Sequence, residues 1–228
     1  MIITIDGPAG SGKSTVAKII ARKLSMNQID SGALYRTYTH IALTYAGESG
    51  KEIAEAIESS EFKKYLSEQK IIIKFISGKQ EVIWNDRDME SCIRLPAITR
   101  NIKLVADTRF IREAVNEQIS KISQQYSIVA DGRDMGTVVF PSAEFKFFLT
   151  ASLDVRATRR LEEFQRQNPE ITLDQVKQEI DKRDRDDQER EFGQLRPAPD
   201  AIFVDTSNLD LNAVVNLVVD IIQKKQPV

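Results

Sequence analysis

Near the start of the chain, a few residues have the types and spacing of a polyphosphate cradle. Gly7, Gly12, Lys13 and Ser14 fill the pattern G-x-x-x-x-G-K-[ST] across Gly7-Pro8-Ala9-Gly10-Ser11-Gly12-Lys13-Ser14-Thr15. Glycines let consecutive backbone N–H groups face one centre. A helix starting behind them adds its positive end and its unpaired N–H groups. Lys13 supplies a cation for β- and γ-phosphates, and Ser14 a hydroxyl for Mg²⁺. The pattern therefore predicts binding of a nucleoside triphosphate at residues 7–15.

Two later loops place arginine where a second phosphate could be held. Asp30-Ser31-Gly32-Ala33-Leu34-Tyr35-Arg36 is one, and Asp131-Gly132-Arg133-Asp134-Met135-Gly136-Thr137 the other. Guanidinium grips phosphate with a planar fork of donors. Singly, each arginine reads equally well as a surface residue paired with a carboxylate. A pair of such loops beside a phosphate loop favours a second phosphorylated ligand. A third cluster runs from Arg183 to Arg190, in which Arg183, Asp187 and Arg190 are four and three residues apart on one helical face. Mixed charge of this kind is usually a solvated face. Arg156, Arg159 and Arg160 on the preceding helix favour a lid that closes over a site.

The elements that must position these residues follow from the pattern. Ile2–Ile5 is an apolar, β-branched run bounded by Gly7 and Pro8, which predicts a buried strand. Val16 to Leu24 has helical spacing. Met26–Asp30 reads as a short strand, followed by a helix through Tyr35, Tyr38, Ile41, Ala42 and Tyr45 that Gly47 and Gly50 close. Ile53–Ser60 reads as another helix. Ile71–Ile76 and Glu81–Trp84, with turns at Ser77-Gly78-Lys79 and Asn85-Asp86, form an antiparallel meander that breaks the alternation. Ile98–Ala106 and Phe110–Tyr126 are helices, with Pro96 marking their start. Ser127–Ala130 and Phe145–Thr150 are strands. Asp154–Gln167 and Leu173–Glu191 are charged helices. Ala201–Asp205 is a last strand and Leu211–Lys224 an amphipathic helix. Alternating strands and helices imply a parallel sheet with helices on both faces. Ligands then bind outside the carboxyl ends of the strands, where Asp6, Asp30, Asp131 and Thr150 fall.

Composition narrows the class further. The 228 residues carry 32 basic and 34 acidic side chains, a formal charge of −2. Such a balance argues against long nucleic acid as a partner. One cysteine, Cys92, cannot form an internal disulfide, which fits a reducing compartment. Cys92 and the single histidine, His40, read as packing residues. No apolar run is long enough for a bilayer, and the first residues read as strand, not signal peptide. The expectation is a cytoplasmic protein without membrane partners, and a monomer.

The phosphate loop, D-S-G-A-L-Y-R from Asp30, D-G-R-D-M-G-T from Asp131 and R-D-x-x-D-x-x-R from Arg183 together resemble the bacterial cytidylate kinase family, in order and over nearly the whole chain. The meander resembles that family's insertion in its monophosphate-binding region. The resemblance implies a P-loop NTPase-type α/β fold in one kinase domain: core 1–57, 101–150 and 191–228, insertion about 58–100, helical lid about 151–190. It implies transfer of the ATP γ-phosphate to CMP or dCMP, with Mg²⁺ as cofactor and Ser14 as its protein ligand. Residues Gly7 to Thr15, Arg156, Arg159 and Arg160 would bind ATP. Arg36, Arg133 and Arg190 would hold the acceptor phosphate and, with Lys13, form the catalytic set. Ser31, Arg112 and Asp134 would surround cytosine, and Tyr35 would belong to the same CMP site. Arg183 and Asp187 would contact sugar hydroxyls or phosphates. One departure stands out: the family often has a small hydroxyl residue on the helix before Arg112, where Lys103 stands here. The alternatives are a P-loop kinase for UMP, AMP or shikimate, and a nucleotide-binding ATPase or switch.

Overall fold

A computed structural model describes residues 1–166 and 168–225. They form two compact units, Met1–Gln28 with the residues from Tyr126 onward, and Ile29–Gln125.

A sheet of order β2-β6-β1-β7-β8 comprises β1 (Ile2–Asp6), β2 (Asn27–Asp30), β6 (Ile128–Gly132), β7 (Phe145–Thr150) and β8 (Ile202–Asp205), and all of it except the last two residues of β2 belongs to the first unit. The β1–β6, β1–β7 and β7–β8 pairings are parallel, and they align Asp6 with Gly132 and with Phe148, and Thr150 with Asp205. The carboxyl ends of these strands therefore share one rim. Ile3, Ile5, Val129, Phe147 and Leu149 are buried, as continuous apolar runs in a covered sheet should be. Helices α1 (Lys13–Lys23) and α9 (Leu211–Lys225) flank it, contributing Val16, Ile20, Val214, Val218 and Ile222 to one core. Helices α7 (Leu153–Gln165) and α8 (Leu173–Glu189) pack around Ala157, Ile171, Val176 and Ile180 as a separate cluster. Thr172 and Gln175 form a reciprocal capping box that starts α8. Gln167, the expected end of α7, lies outside the described residues.

The second unit contains α2 (Ser31–Ser49), α3 (Ile53–Glu58), α4 (Ser60–Ser67), α5 (Pro96–Asp107) and α6 (Arg109–Ser123). Its antiparallel sheet comprises β3 (Ile71–Ile76), β4 (Lys79–Trp84) and β5 (Arg87–Asp88). Two-residue turns join the strands: Ser77-Gly78 and Asn85-Asp86 all have positive φ, as primed hairpin turns require. The α2 helix runs past Gly47 to Ser49, and Gly50 alone ends it in the left-handed region. The expected helix from Ile53 stops at Glu58, because Ser59 caps a new one: its hydroxyl accepts from Phe62 N at 3.1 Å. The β6 strand extends through Asp131 and Gly132, and a single π-turn at Met135–Val139 follows that the sequence pattern does not suggest.

Candidate active site

The loop between β1 and α1 has the backbone its glycines allow. Gly10 and Gly12 have φ of 77° and 86°. Gly7 abuts the Leu149 carbonyl so closely that a Cβ would lie 2.1 Å from that oxygen. Gly12 offers no side-chain cap to α1, so the first N–H groups of that helix are left for a ligand. Lys13 is buried, and its Nζ donates to Pro8 O at 3.1 Å. Burial pulls its pKa well below the ordinary lysine value. Arg133 and Arg183 push the same way, against Asp131 and Asp187. The two carboxylates do not offset burial and the arginines, and a polyphosphate would add the negative charge that favours the ammonium.

Ser14 Oγ donates to Asp131 Oδ2 at 2.5 Å, while Gln28 Nε2 donates to Asp131 Oδ1 at 2.9 Å and to Ser14 O at 3.2 Å. A hydroxyl beside a carboxylate is an all-oxygen donor set, which fits a hard divalent cation. Behind it, Asp6 Oδ1 and Oδ2 accept from Met135 N (2.9 Å) and Gly136 N (2.7 Å), tying the end of β1 to the loop that carries Arg133 and Asp134. Burial lifts the Asp6 carboxyl to about 6, although those two N–H bonds oppose the rise.

A cleft of about 390 Å³ opens beside the loop. Gly10 to Val16 line it, with Arg159 and Arg160 of α7, Thr206 and Leu209 from the β8–α9 connection, and Leu211 and Val214 of α9. Arg159 donates to Thr206 Oγ1 (2.9 Å) and to Thr206 O (2.7 Å). The Arg160 guanidinium lies 5.4 Å from the Phe164 ring centroid. Arg156 is not among the lining residues: it is buried against Ala151 O, Ala9 O and the carboxylate of Asp184.

On α8, Asp187 is the centre of a cation cluster. Arg133 Nε donates to its Oδ2 at 2.7 Å, and Arg190 Nη2 to its Oδ1. Burial alone would raise this carboxyl, but Arg133, Arg190 and Arg183 together hold it below the ordinary aspartate value. Thus Lys13, Arg133, Arg183, Arg190 and Asp187 form one electrostatic group in the first unit. Asp134 is buried beside it in sequence, directly after Arg133.

The second unit holds the remaining expected site residues. Asp30 caps α2, its Oδ1 accepting from Ala33 N at 3.1 Å, and this fixes the turn that bears Ser31, Tyr35 and Arg36. Arg36 Nη1 donates to Ile93 O (3.3 Å) and Thr99 Oγ1 (3.0 Å). Arg112 Nη1 donates to Ala106 O at 2.9 Å, and its guanidinium lies 5.2 Å from the Tyr35 ring centroid. Lys103 is exposed on α5; the small hydroxyl on that helix that touches an arginine is Thr99, one turn earlier. Cys92 is buried with a free thiol. His40 meets Trp84 edge-to-face at 5.6 Å, and burial with nearby Arg87 lowers its pKa. Both sit as packing residues.

A parallel sheet whose first strand feeds a glycine loop, an uncapped helix and a buried lysine defines a P-loop nucleotide-binding protein of the phosphotransferase type. Comparison with known proteins is more specific. The chain belongs to the cytidylate kinase family, whose model matches residues 3–224. It is 42% identical over 230 residues to a cytidylate kinase of Carboxydothermus hydrogenoformans, covering all of both chains. It is 43% identical over 216 residues to one of Streptococcus pyogenes, covering 95% of this chain and 93% of that one. An uncharacterized protein from Eubacterium ventriosum shares the fold at a TM-score of 0.50 and 14% identity, covering 99% of each chain.

Several residues of the site have no signature in the sequence. Gln28, Asp184 and Thr206 act through hydrogen bonds to partners 14 to 195 residues away in the chain, and Leu209 lines the cleft. A carboxylate in the charged run at Arg183 was visible, but which of its acids turn inward was not.

Proposed function

We propose that the chain transfers the γ-phosphate of ATP to CMP or dCMP, giving ADP and CDP or dCDP. The observation that carries this reading is the cation group of Lys13, Arg133, Arg183 and Arg190, set beside a phosphate loop in a member of the cytidylate kinase family. Phosphoryl transfer needs in-line placement and neutralisation of spreading charge more than covalent help. Lys13, Arg159 and Arg160 serve the donor phosphates, with the main-chain amides of the loop. Arg36, Arg133 and Arg190 hold the acceptor phosphate. That phosphate is already largely ionised at neutral pH, since its second pKa is about 6, so no general base is required. Arg183 and Asp187 contact the sugar hydroxyls or the phosphates. Ser31, Arg112 and Asp134 serve the cytosine, and Tyr35 belongs to the same CMP site. Asp134 accepts the exocyclic amine, whereas the carbonyl of uracil would leave two acceptors facing each other.

The donor set of Ser14 and Asp131 suits Mg²⁺: Ser14 would hold the ion, and Asp131 would order a water beside it. When bound, the ion supplies charge neutralisation on the β- and γ-oxygens. The chain is proposed to act as a cytoplasmic monomer with ATP and CMP or dCMP as its partners. Among the described residues, no helix is long and apolar enough to cross a membrane.

A coupled ADP-release assay with CMP, dCMP, UMP, AMP and shikimate tests the assignment. CMP or dCMP should give the highest kcat/KM. ADP release independent of any acceptor would refute transfer, and preference for another acceptor would refute the cytosine site.

A further inference from the structure

The apolar cluster of α7 and α8 includes one residue from neither helix nor their connection. Ala9, of the phosphate loop, is 3% exposed among Ala157, Ile171, Val176 and Ile180. Both polar backbone groups of Ala9 are taken as well. Its N–H donates to Asp184 Oδ1 at 2.9 Å, and its carbonyl accepts from Arg156 Nη1 at 2.9 Å. Arg156 also donates to the second carboxylate oxygen of Asp184, closing a three-member ring, and its Nε donates to Ala151 O at 3.0 Å. The next residue is fitted equally closely: a Cβ on Gly10 would lie 3.0 Å from Arg156 Cβ.

We propose that Arg156 and Asp184 form a latch that fixes the main chain of Ala9, so that Arg156 is a positioning residue for the phosphate loop and not a phosphate ligand. Three observations support this assignment. The Ala9 N–H is already used, and Pro8 has none, so the amides open to a phosphate begin at Gly10. The Asp184 carboxylate is buried beside a loop that must accept a polyanion, where an uncompensated negative charge would repel it. Arg156 cancels that charge, and its Nε and Nη1 are committed to Ala151 O, Ala9 O and the Asp184 carboxylate. The helix that carries Arg156 also provides Arg159 and Arg160 in the cleft, so the latch ties the set of the loop to the placement of these arginines.

The proposal rests on the donor-site reading, that ATP binds this loop, and not on the identity of the acceptor. The test is a double-mutant cycle on ATP affinity in the full chain, using wild type, R156M, D184N and R156M/D184N, with thermal melting of each. In D184N the amide oxygen still accepts from Ala9, and no buried charge needs Arg156. R156M should weaken ATP binding by about tenfold or more in the parent, and by less than about threefold in the D184N background. The KM for CMP should stay within about twofold throughout, which a general loss of structure would not allow. If Arg156 touches phosphate, removing it will cost about tenfold in both backgrounds, and the latch is refuted. Should R156M alone fail to fold, D184N against the double variant still decides. Wild type that fails to bind ATP at all refutes the donor-site reading instead, and the latch with it.

Discussion

Replacing Asp187 by Asn removes one charge from the cation cluster and leaves its shape. The carboxylate is 8% exposed, facing Arg133 at 15% and Arg190 at 8%. A unit charge pair at 4 Å is worth about 4 kcal/mol at an effective dielectric near 20. Removing one partner of a buried pair typically costs about 3–5 kcal/mol, because the other charge is left uncompensated. Asn keeps an acceptor oxygen for one arginine, so the expected loss is about 2–4 kcal/mol. In a chain of this length that lowers Tm by about 4–16 °C. The folded pKa of Asp187 lies below 3.8, so its stabilising contribution is present above that pH and lost as pH falls through the folded value. Parent and variant should therefore converge in acid. A second effect reaches Lys13, whose charged form Asp187 favours. Without that carboxylate the lysine pKa falls further, and the fraction of charged lysine declines at a lower pH. The alkaline limb of kcat/KM for ATP should therefore move to lower pH in the variant. Melting by circular dichroism and rates from about pH 6 to about 10 measure both effects. A variant that melts with the parent and keeps its alkaline limb unmoved refutes the reasoning.

Other residues give independent tests. Lys13→Ala should cut kcat/KM for ATP by at least about 10²-fold with no loss of Tm, since the buried cation stabilises a ligand and not the fold; turnover within a few-fold of the parent would remove Lys13 from the donor site. Asp6 binds its proton more tightly when folded, with a pKa of about 6 against 3.8, so its contribution is largest below 3.8 and is lost as pH rises towards 6. Asp6→Asn should abolish that slope: the stability of the parent relative to the variant should fall between pH 3.8 and about 6, and a constant difference on chemical denaturation would contradict the assignment. Gly10→Ala places a Cβ 3.0 Å from Arg156 at a φ of 77°. It should cost about 1–2 kcal/mol and weaken ATP binding; unchanged ATP affinity, by equilibrium titration, would show that the loop tolerates rearrangement there.

The parts of this molecule that local chemistry controls were legible in the sequence. The β1 strand, the glycine loop and α1 follow from a β-branched run, glycine punctuation and a helical stripe within 24 residues. The hairpin turns are equally local, although the expected Ser77-Gly78-Lys79 turn closes in two residues and Lys79 opens β4. The α4 helix was not, because Ser59 and Ser60 read as a helix end until the Ser59 hydroxyl is seen capping forward. The π-turn at Met135–Val139 was missed for a different reason: the two N–H bonds to Asp6 hold its start, and that partner is about 130 residues away. The same limit governs the run from Arg183 to Arg190. Its pattern shows one helical face, but only long-range contacts reveal that Asp184 and Asp187 turn inward while Arg185 pairs with Asp181 on the surface.

Asp184 reaches the glycine loop and Asp187 reaches Arg133, both from one rigid helix. Three residues of helix separate them by about 4.5 Å along the axis and roughly 60° around it. That interval behaves as a ruler with two marks. Inserting or deleting a single residue between the marks would leave the helix continuous yet swing one carboxylate by about 100°. Whichever aspartate kept its socket, the other would lose it, so this stretch tolerates exchange of side chains far better than any change in its length.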